Sequence, residues 1–220
     1  ILSLDDIASP YQLGIMPPHT VAYLETYRGC PMSCRFCEWG RSDSSTTVFS
    51  TDYIAREFQA YMENDVSAVF LVDAGLNLNK KGFDNLREAE AEVGYLKRSG
   101  GLWAEIYPTN IRDHHLDFLE EIGLGYLGIG LQSLDTNVLK GLDRPFKKEQ
   151  FESSVRKIAS VCNAEIQIIM GLPGDTPEGF IRTLKYARSL RVSVRAYHCL
   201  VLPDALLTRS RPEWNIDFDP

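Results

Sequence analysis

The stretch Cys30-Pro31-Met32-Ser33-Cys34-Arg35-Phe36-Cys37 carries three thiols within eight residues, spaced by three and then by two other residues. Thiolates crowded in this way indicate a metal site. A closed zinc site uses four ligands, yet the next cysteine after this stretch is Cys162. Three thiolates suit a [4Fe-4S] cluster that leaves one iron without a protein ligand. A zinc site and a purely structural cluster remain the alternatives.

The bulk composition describes a folded, mildly acidic protein. With 220 residues, 44% hydrophobic and 24% charged, the chain can bury a substantial core. A net charge of −7 disfavours a nucleic-acid partner. No apolar run is long enough to span a membrane, so we expect no membrane partner. Five cysteines, three of them bunched, favour a reducing compartment and predict a cytoplasmic location.

The chain begins with Ile rather than Met, and we expect it to be the core of a longer protein. Residues 1–20 contain Ser9-Pro10 and Pro17-Pro18 and are predicted to form a linker into the core. Residues 21–205 are predicted to form that core. Residues 206–220 are predicted to begin a C-terminal extension.

Hydrophobic periodicity predicts six strands that alternate with helices. The strands are predicted at residues 21–28, 66–72, 102–107, 126–131, 164–170 and 192–202. The helices are predicted after a Thr51 cap, at 80–98, after an Asp113 cap, at 135–142, at 147–161 and from Thr176-Pro177. Repeated βα units predict an α/β fold with a parallel sheet, here an open, crescent-like partial (β/α)6 barrel. Ligands of such folds bind at the carboxyl ends of the strands.

The cysteine spacing, with Phe36 just before the last thiol, resembles the signature of the radical S-adenosylmethionine (radical SAM) superfamily. That family is a partial barrel with a cluster loop after its first strand. The resemblance implies that Cys30, Cys34 and Cys37 hold a [4Fe-4S] cluster whose open iron binds S-adenosylmethionine. It also implies a reducing partner such as flavodoxin or ferredoxin. Reductive cleavage then gives a 5′-deoxyadenosyl radical, which abstracts hydrogen from an unactivated carbon.

Polar strand ends supply the expected S-adenosylmethionine site. Asp73, Ala74 and Gly75 follow the second predicted strand, where the family carries a segment that receives the amino group of S-adenosylmethionine. An ordinary polar turn is the alternative. Gln132-Ser133 and the following Arg144 resemble residues of the oxygen-independent coproporphyrinogen oxidases that hold the ribose and the carboxylate. A helix-capping amide and a surface salt bridge are the alternatives.

Three further residues are predicted around the same cofactor. Gln167 lies on the fifth predicted strand, where related enzymes often carry an aspartate that binds the ribose. An amide satisfied by backbone is the alternative. Phe36 and Trp39 are predicted to flank the adenine or to shield the cluster from water.

The third and sixth predicted strands carry residues that we expect to face the substrate. These are Glu105 and Tyr107 on the third strand, and His198 and Cys199 on the sixth. A small buried core residue is the alternative for Cys199. The substrate is expected to be a small molecule or a peptide.

A finer resemblance, to cobalamin-dependent radical SAM enzymes, covers nearly the whole chain. It is carried by Ser9-Pro10-Tyr11-Gln12-Leu13-Gly14, by Tyr23-Leu24-Glu25-Thr26-Tyr27-Arg28-Gly29-Cys30-Pro31 and by Phe36-Cys37-Glu38-Trp39-Gly40. It implies cobalamin as a further cofactor and methylation or rearrangement at an unactivated carbon. The alternatives are a cobalamin-free radical SAM oxidase or peptide-modifying enzyme, and a non-catalytic iron–sulfur carrier or zinc-binding domain.

Overall fold

The computed structural model describes residues 3–18, 21–39, 46–123, 125–214 and 216, and its main feature is a six-stranded parallel sheet. Its strands are β1 (Val21–Leu24), β4 (Ala68–Leu71), β5 (Leu102–Ile106), β6 (Gly125–Gln132), β7 (Asn163–Met170) and β8 (Ser193–His198). They follow chain order across the sheet, and within the described residues β1 and β8 form its two edges. The predicted α/β class and open parallel sheet are confirmed.

Helices connect the strands as the sequence predicts. They are α1 (Thr51–Glu63), α2 (Lys80–Val93), α3 (Asp113–Ile122), α4 (Thr136–Gly141), α5 (Lys148–Ala159) and α6 (Pro177–Ser189). The Thr176 side chain caps α6 by accepting from the Gly179 N–H at 3.0 Å. Two predicted caps are wrong by one position. Ser50 rather than Thr51 caps α1, and Asp113 is the first residue of α3 rather than its cap.

Side chains along the strands alternate between two faces of the sheet. One face packs against the helices and forms the core, with Leu24, Leu71, Leu102, Ile129 and Ile166 among its fully or nearly fully buried residues. The other we call the open face. It carries Tyr23, Phe70, Trp103, Glu105, Tyr126, Glu165, Gln167, Arg195 and Tyr197, several of which are exposed.

The prediction of a single first strand at residues 21–28 is wrong. β1 ends at Leu24, and a second short strand, β2 (Tyr27–Arg28), pairs antiparallel with β3 (Thr47–Val48) instead of joining the main sheet. The cause is Asp73, whose carboxylate accepts from the Thr26 and Tyr27 N–H groups at 2.8 and 3.4 Å. These donors are therefore turned away from a neighbouring strand.

Two other predicted boundaries also differ from the structure. The helix predicted at 80–98 ends at Val93, because Gly94 adopts a left-handed conformation (φ 66°) and the chain turns. The buried Glu90 side chain then accepts from the N–H groups of Leu96 and Lys97, which fixes the segment after the turn. The sixth strand, predicted at 192–202, covers only Ser193–His198. The remaining predicted strands and helices agree to within two residues at each end.

The described parts of both predicted terminal segments pack on the core. Tyr11 is buried, and its hydroxyl accepts from the Tyr23 N–H at 2.9 Å. Leu206 is buried against Leu142 and Leu172. Residues 1–2, 19–20, 40, 215 and 217–220 of the predicted segments and motifs lie outside the described residues, and the domain limits stay predictions. Across the part of the chain that the structure describes, every helix is too short or too polar to cross a bilayer.

Candidate functional site

The three clustered cysteines lie on the loop that follows β2 and line one cavity of about 340 Å³ at the carboxyl ends of the strands. Cys30 and Cys34 are buried, Cys37 is half-buried, and all three thiols are free of disulfides. The Cys37 N–H donates to the Cys34 carbonyl at 3.2 Å, which closes the loop into a turn. The loop therefore presents three thiols to a single space.

The three thiols in one cavity wall match the ligand set of a [4Fe-4S] cluster with one open iron. Among the described residues, no three His, Cys, Asp or Glu side chains converge as one metal ion would require. In an iron–sulfur cube each thiolate binds a different iron, so its ligands need not meet at one point. Burial raises the pKa of the Cys30 thiol, and the proton held there would be released when a metal binds.

Asp73 fastens the cysteine loop to the end of β4. Its buried carboxylate accepts from two backbone N–H groups, those of Thr26 and Tyr27, and from the Thr26 hydroxyl. The Tyr27 hydroxyl in turn donates to the Gly75 carbonyl at 2.8 Å. Burial raises the pKa of the Asp73 carboxyl to about 7, although its three donors oppose the shift. Within the segment predicted to receive the amino group, the Asp73 side chain is thus occupied by contacts inside the protein.

Replacing Asp73 with alanine should strongly destabilise the protein and its cysteine loop. The change leaves two buried N–H groups and one hydroxyl without their acceptor, at a cost of about 3 kcal/mol in the free energy of unfolding. Denaturant unfolding and iron content after anaerobic reconstitution measure the effect. Asp73→Asn keeps an acceptor oxygen and should stay within about 1 kcal/mol of the wild type. Equal losses in both variants would contradict this role.

The wild type and Asp73→Asn together test how the free energy of unfolding depends on pH. With a pKa of about 7 when folded and about 3.9 when unfolded, Asp73 keeps a proton on folding between those values. Its contribution to the free energy of unfolding is therefore present below pH 4 and is lost as the pH rises to 7. The difference in stability between the wild type and Asp73→Asn should fall across this range. A constant difference would refute the shifted pKa.

An irregularity at the end of β6 directs Gln132 into the cavity. The pairing with β7 shifts between Gly130 and Gln132, and Gln132 has a left-handed backbone (φ 68°). Such a conformation is strained for a residue other than glycine. A Cβ atom on Gly130 would lie 2.5 Å from Gln132 Nε2 and 3.0 Å from Arg144 Nη2. Glycine at 130 therefore makes room for both polar side chains.

Arg144 connects the cavity with the cysteine loop. Its guanidinium carbon lies 4.4 Å from the centre of the Tyr107 ring, and Nη2 donates to the Gly130 carbonyl at 3.0 Å. Nη1 lies 3.8 Å from Cys34 Sγ. The cation is thus held in one position, with charge available to an anion in the cavity.

Glu105 and Gln167 form a bridge across β6. Gln167 Nε2 donates to Glu105 Oε1 at 2.8 Å, and both side chains line the cavity. A Cβ atom on Gly128, the residue between them, would lie 2.5 Å from the Glu105 carboxylate oxygens. Burial raises the pKa of Glu105, although the amide donor opposes the shift. The Gln167 amide nitrogen therefore has a side chain, that of Glu105, as its partner.

The family model described as "Radical SAM superfamily" matches residues 24–187. The chain belongs to the radical SAM superfamily. This agrees with the geometry, in which the cysteine loop and the polar strand ends share one cavity.

Curated relatives include methyltransferases and methylthiotransferases. The chain is 29% identical over 226 residues to the cobalamin-dependent radical SAM methyltransferase TokK of Streptomyces tokunonensis, covering 93% of this chain and 33% of that protein. It is 28% identical to the 2-(S-pantetheinyl)-carbapenam-3-carboxylate methyltransferase of Streptantibioticus cattleyicolor, covering 90% and 32%. It is 28% identical to the ribosomal protein uS12 methylthiotransferase RimO of Chlamydia pneumoniae, covering 78% and 38%. The chain thus spans about a third of the length of these relatives.

Solved structures share the fold. One is the radical S-adenosylmethionine methyltransferase TsrM of Kitasatospora setae with cobalamin and a [4Fe-4S] cluster bound, with a TM-score of 0.71 at 18% identity over 81% of this chain and 36% of that one. Another is the coproporphyrinogen III oxidase HemN of Escherichia coli, with a TM-score of 0.67 at 19% identity over 90% and 49%. At these identities the likeness establishes the radical SAM fold alone.

The structure brings most of the predicted radical SAM site residues together. Besides the residues already described, Phe36, Trp39 and Ala74 line the cavity. Gly75 and Ser133 are not part of its described wall. The Gly75 carbonyl already accepts from Tyr27 and Leu78, and the Ser133 hydroxyl accepts from the Asp135 N–H at 3.1 Å.

The predicted substrate-facing residues divide into two groups. Glu105 lies in the cavity wall, and Tyr107 lies beneath the Arg144 guanidinium. His198 is exposed at the end of β8, outside the described wall. Cys199 packs beside a separate apolar cluster, and burial raises the pKa of its thiol to about 11. A thiol so hard to ionise suits the core alternative.

Asn77 is a structural residue whose role the sequence did not reveal. Its amide nitrogen donates to the Tyr107 carbonyl at 2.8 Å, and its amide oxygen accepts from the Tyr107 N–H at 2.9 Å. Asn77 thereby clamps the loop after β4 to the end of β5. A buried amide just after a strand needs such a partner, and this is the signal that could have indicated it.

Proposed function

We propose that this chain is the catalytic core of a radical SAM enzyme, in which Cys30, Cys34 and Cys37 hold a [4Fe-4S] cluster. The observation that carries the proposal is that these three thiols and the Arg144 guanidinium line one cavity. When bound, the reduced cluster supplies the electron that cleaves S-adenosylmethionine to methionine and a 5′-deoxyadenosyl radical, the species that removes hydrogen from an unactivated carbon.

The polar residues of the cavity match the groups of S-adenosylmethionine. Arg144, held by Tyr107 and Gly130, would grip the carboxylate with two hydrogen bonds. The Ala74 backbone, in the cavity wall near the cysteine loop, would receive the ammonium group. Gln132 and Gln167 would bind the ribose hydroxyls.

The apolar residues of the cavity would exclude water. Phe36 and Trp39 offer ring faces for the adenine, and Trp39 is 45% exposed. Other apolar residues of the wall are Met32, Phe70, Leu71, Val72, Leu78 and Ile106. Exclusion of water strengthens the polar contacts and keeps a reactive species from side reactions.

We further propose methylation or rearrangement at an unactivated carbon with cobalamin as a second cofactor. The support is that two relatives covering 93% and 90% of this chain are methyltransferases, one of them cobalamin-dependent by name. A reductant of the flavodoxin or ferredoxin kind would reduce the cluster, and the substrate would be a small molecule. A cytoplasmic location remains a prediction from cysteine usage.

A cobalamin-free enzyme is the second candidate. Its support is that similar folds occur in the coproporphyrinogen III oxidase HemN and in SuiB of Streptococcus suis bound to a precursor peptide. The methylthiotransferase RimO is a further relative whose name mentions no cobalamin. An oxidase or a peptide-modifying enzyme would use the same cysteine loop and cavity.

Anaerobic reconstitution with iron and sulfide, followed by reduction, tests the proposal. Adding S-adenosylmethionine should change the electron paramagnetic resonance spectrum of the cluster and produce 5′-deoxyadenosine. An unchanged spectrum with no product would instead indicate an electron carrier. Formation of S-adenosylhomocysteine that depends on added cobalamin would support methyl transfer. Formation of 5′-deoxyadenosine alone would favour the cobalamin-free candidate.

A further inference from the structure

The open face carries a strip of four aromatic side chains, one of which, Phe70, also lines the cysteine cavity. Tyr23, Phe70, Trp103 and Tyr126 are paired in register on β1, β4, β5 and β6, and we call them the aromatic strip. Successive ring centres are 6.0, 6.5 and 5.5 Å apart. Tyr23 is 64% and Trp103 51% exposed. Contiguous exposed apolar surface of this kind indicates a binding surface.

A guanidinium lies at one end of the aromatic strip. Arg195 Nε donates to Glu165 Oε2 at 2.9 Å, and the Tyr126 hydroxyl donates to the same oxygen at 2.6 Å. The Glu165 side chain is only 7% exposed, whereas that of Arg195 is 55% exposed. Glu165 therefore holds the inner edge of the guanidinium, and the outer edge faces the open side of the sheet. Tyr126 and Tyr197 also adjoin the guanidinium, and its exposed part remains accessible to a ligand.

The guanidinium also adjoins the cavity that the cysteines line. Arg195 is the register partner of Gln167, which lines that cavity and bonds to Glu105. The hydrogen bond between Glu105 and Gln167 crosses β6 over Gly128 and forms the boundary between the aromatic strip and the cavity. A molecule that lies along the strip can thus contact Arg195 and meet the cavity wall at Phe70 and at this hydrogen-bonded pair.

We propose that Arg195 anchors an anionic group of the substrate, a carboxylate or a phosphate, while the aromatic strip receives its apolar part. The substrate class is therefore a compact anion with an apolar or aromatic body. Arg195 offers a planar fork that suits either anion. The statement that this anion is the substrate of a reaction rests on the proposed function. Its binding to Arg195 and to the aromatic strip does not depend on that function.

Three small probes test this anchor on the intact chain. They are 3-phenylpropionate, phenyl phosphate and the neutral 3-phenylpropan-1-ol, with dissociation constants measured by ligand-observed nuclear magnetic resonance. We expect at least one anion to bind about tenfold more tightly than the alcohol, because only the anions add a charge-assisted contact. The tighter anion of the two identifies the group as carboxylate or phosphate.

Arg195→Gln should remove the preference for the anion and leave binding of the alcohol unchanged. Arg188→Gln is the matched control, since it deletes the same charge from an exposed position on α6 and should keep the preference. Equal binding of anions and alcohol to the wild type would overturn the proposal. So would loss of the preference in both variants, which would indicate general electrostatics.

The outcome can be separated from that of the proposed function. Arg195→Gln should leave cluster content and substrate-free cleavage of S-adenosylmethionine within about twofold of the wild type, since Arg195 is not part of the described cavity wall. Failure of cleavage in the wild type would undo the proposed function and leave the binding result standing.

Discussion

Replacing Cys30, Cys34 and Cys37 together with alanine should abolish both cluster content and cleavage of S-adenosylmethionine. Thiolates are the ligands that iron–sulfur clusters require, and the three thiols that line the cavity would be gone. We expect iron and sulfide to fall from about four of each per chain to near zero after anaerobic reconstitution. The absorption of the cluster and the 5′-deoxyadenosine product should disappear with them.

The chain supplies its own control for this experiment. Cys162 and Cys199 are half-buried and free, and burial raises the pKa of each thiol to about 11. The double variant Cys162→Ala/Cys199→Ala should therefore keep its iron and its activity. Thermal unfolding monitored by circular dichroism shows whether each variant is folded. Iron retained in the triple variant, or lost equally from the control, would disprove the cluster assignment.

The centre of the sheet was predictable because its strands signal themselves locally. The strands from β4 to β7 are short apolar runs bounded by Gly, Pro or Asp, and such runs indicate buried parallel strands wherever helices separate them. The cysteine loop was predictable for a similar reason, since its chemistry is contained in eight consecutive residues. Neither prediction required knowledge of contacts with residues elsewhere in the chain.

Two of the errors arose where a distant residue decides the local structure. Asp73 takes the N–H groups of Thr26 and Tyr27, 47 and 46 positions earlier, and so divides the first predicted strand. Glu105 supplies the partner of Gln167 from 62 positions earlier. Periodicity reports which face of an element is buried, but it does not report which polar group lies opposite. Side-chain pairings of this range become visible only in the folded structure.

The glycines of β6 also have a role that local sequence could not predict. Gly128 and Gly130 could be read as turn-forming residues at the end of a strand. In the structure they leave space, since a Cβ atom at either position would collide with the polar side chains of Glu105 or Gln132. Their role depends on the neighbouring strands, so it follows from sheet order and not from local sequence.

Arg144→Gln should weaken S-adenosylmethionine binding about 100-fold, because loss of a desolvated charge pair typically costs 2–5 kcal/mol. The guanidinium is fixed by the Tyr107 ring at 4.4 Å and by the Gly130 carbonyl at 3.0 Å, so the native geometry is ready for a carboxylate. Arg144→Lys should still lose about tenfold, since an ammonium lacks the planar fork. Equilibrium dialysis on reconstituted protein of equal iron content gives the dissociation constants.

A chemical double-mutant cycle assigns the effect to the carboxylate. Decarboxylated S-adenosylmethionine lacks the group that Arg144 is proposed to grip, so it should bind the wild type weakly and the Arg144→Gln variant no more weakly. Removing the guanidinium and the carboxylate together should therefore weaken binding little more than removing the carboxylate alone. Nearly the full 100-fold effect of Arg144→Gln should disappear with the decarboxylated ligand. If Arg144→Gln weakens both ligands equally, the guanidinium acts through the cysteine loop, where Nη1 lies 3.8 Å from Cys34 Sγ, and the carboxylate assignment fails.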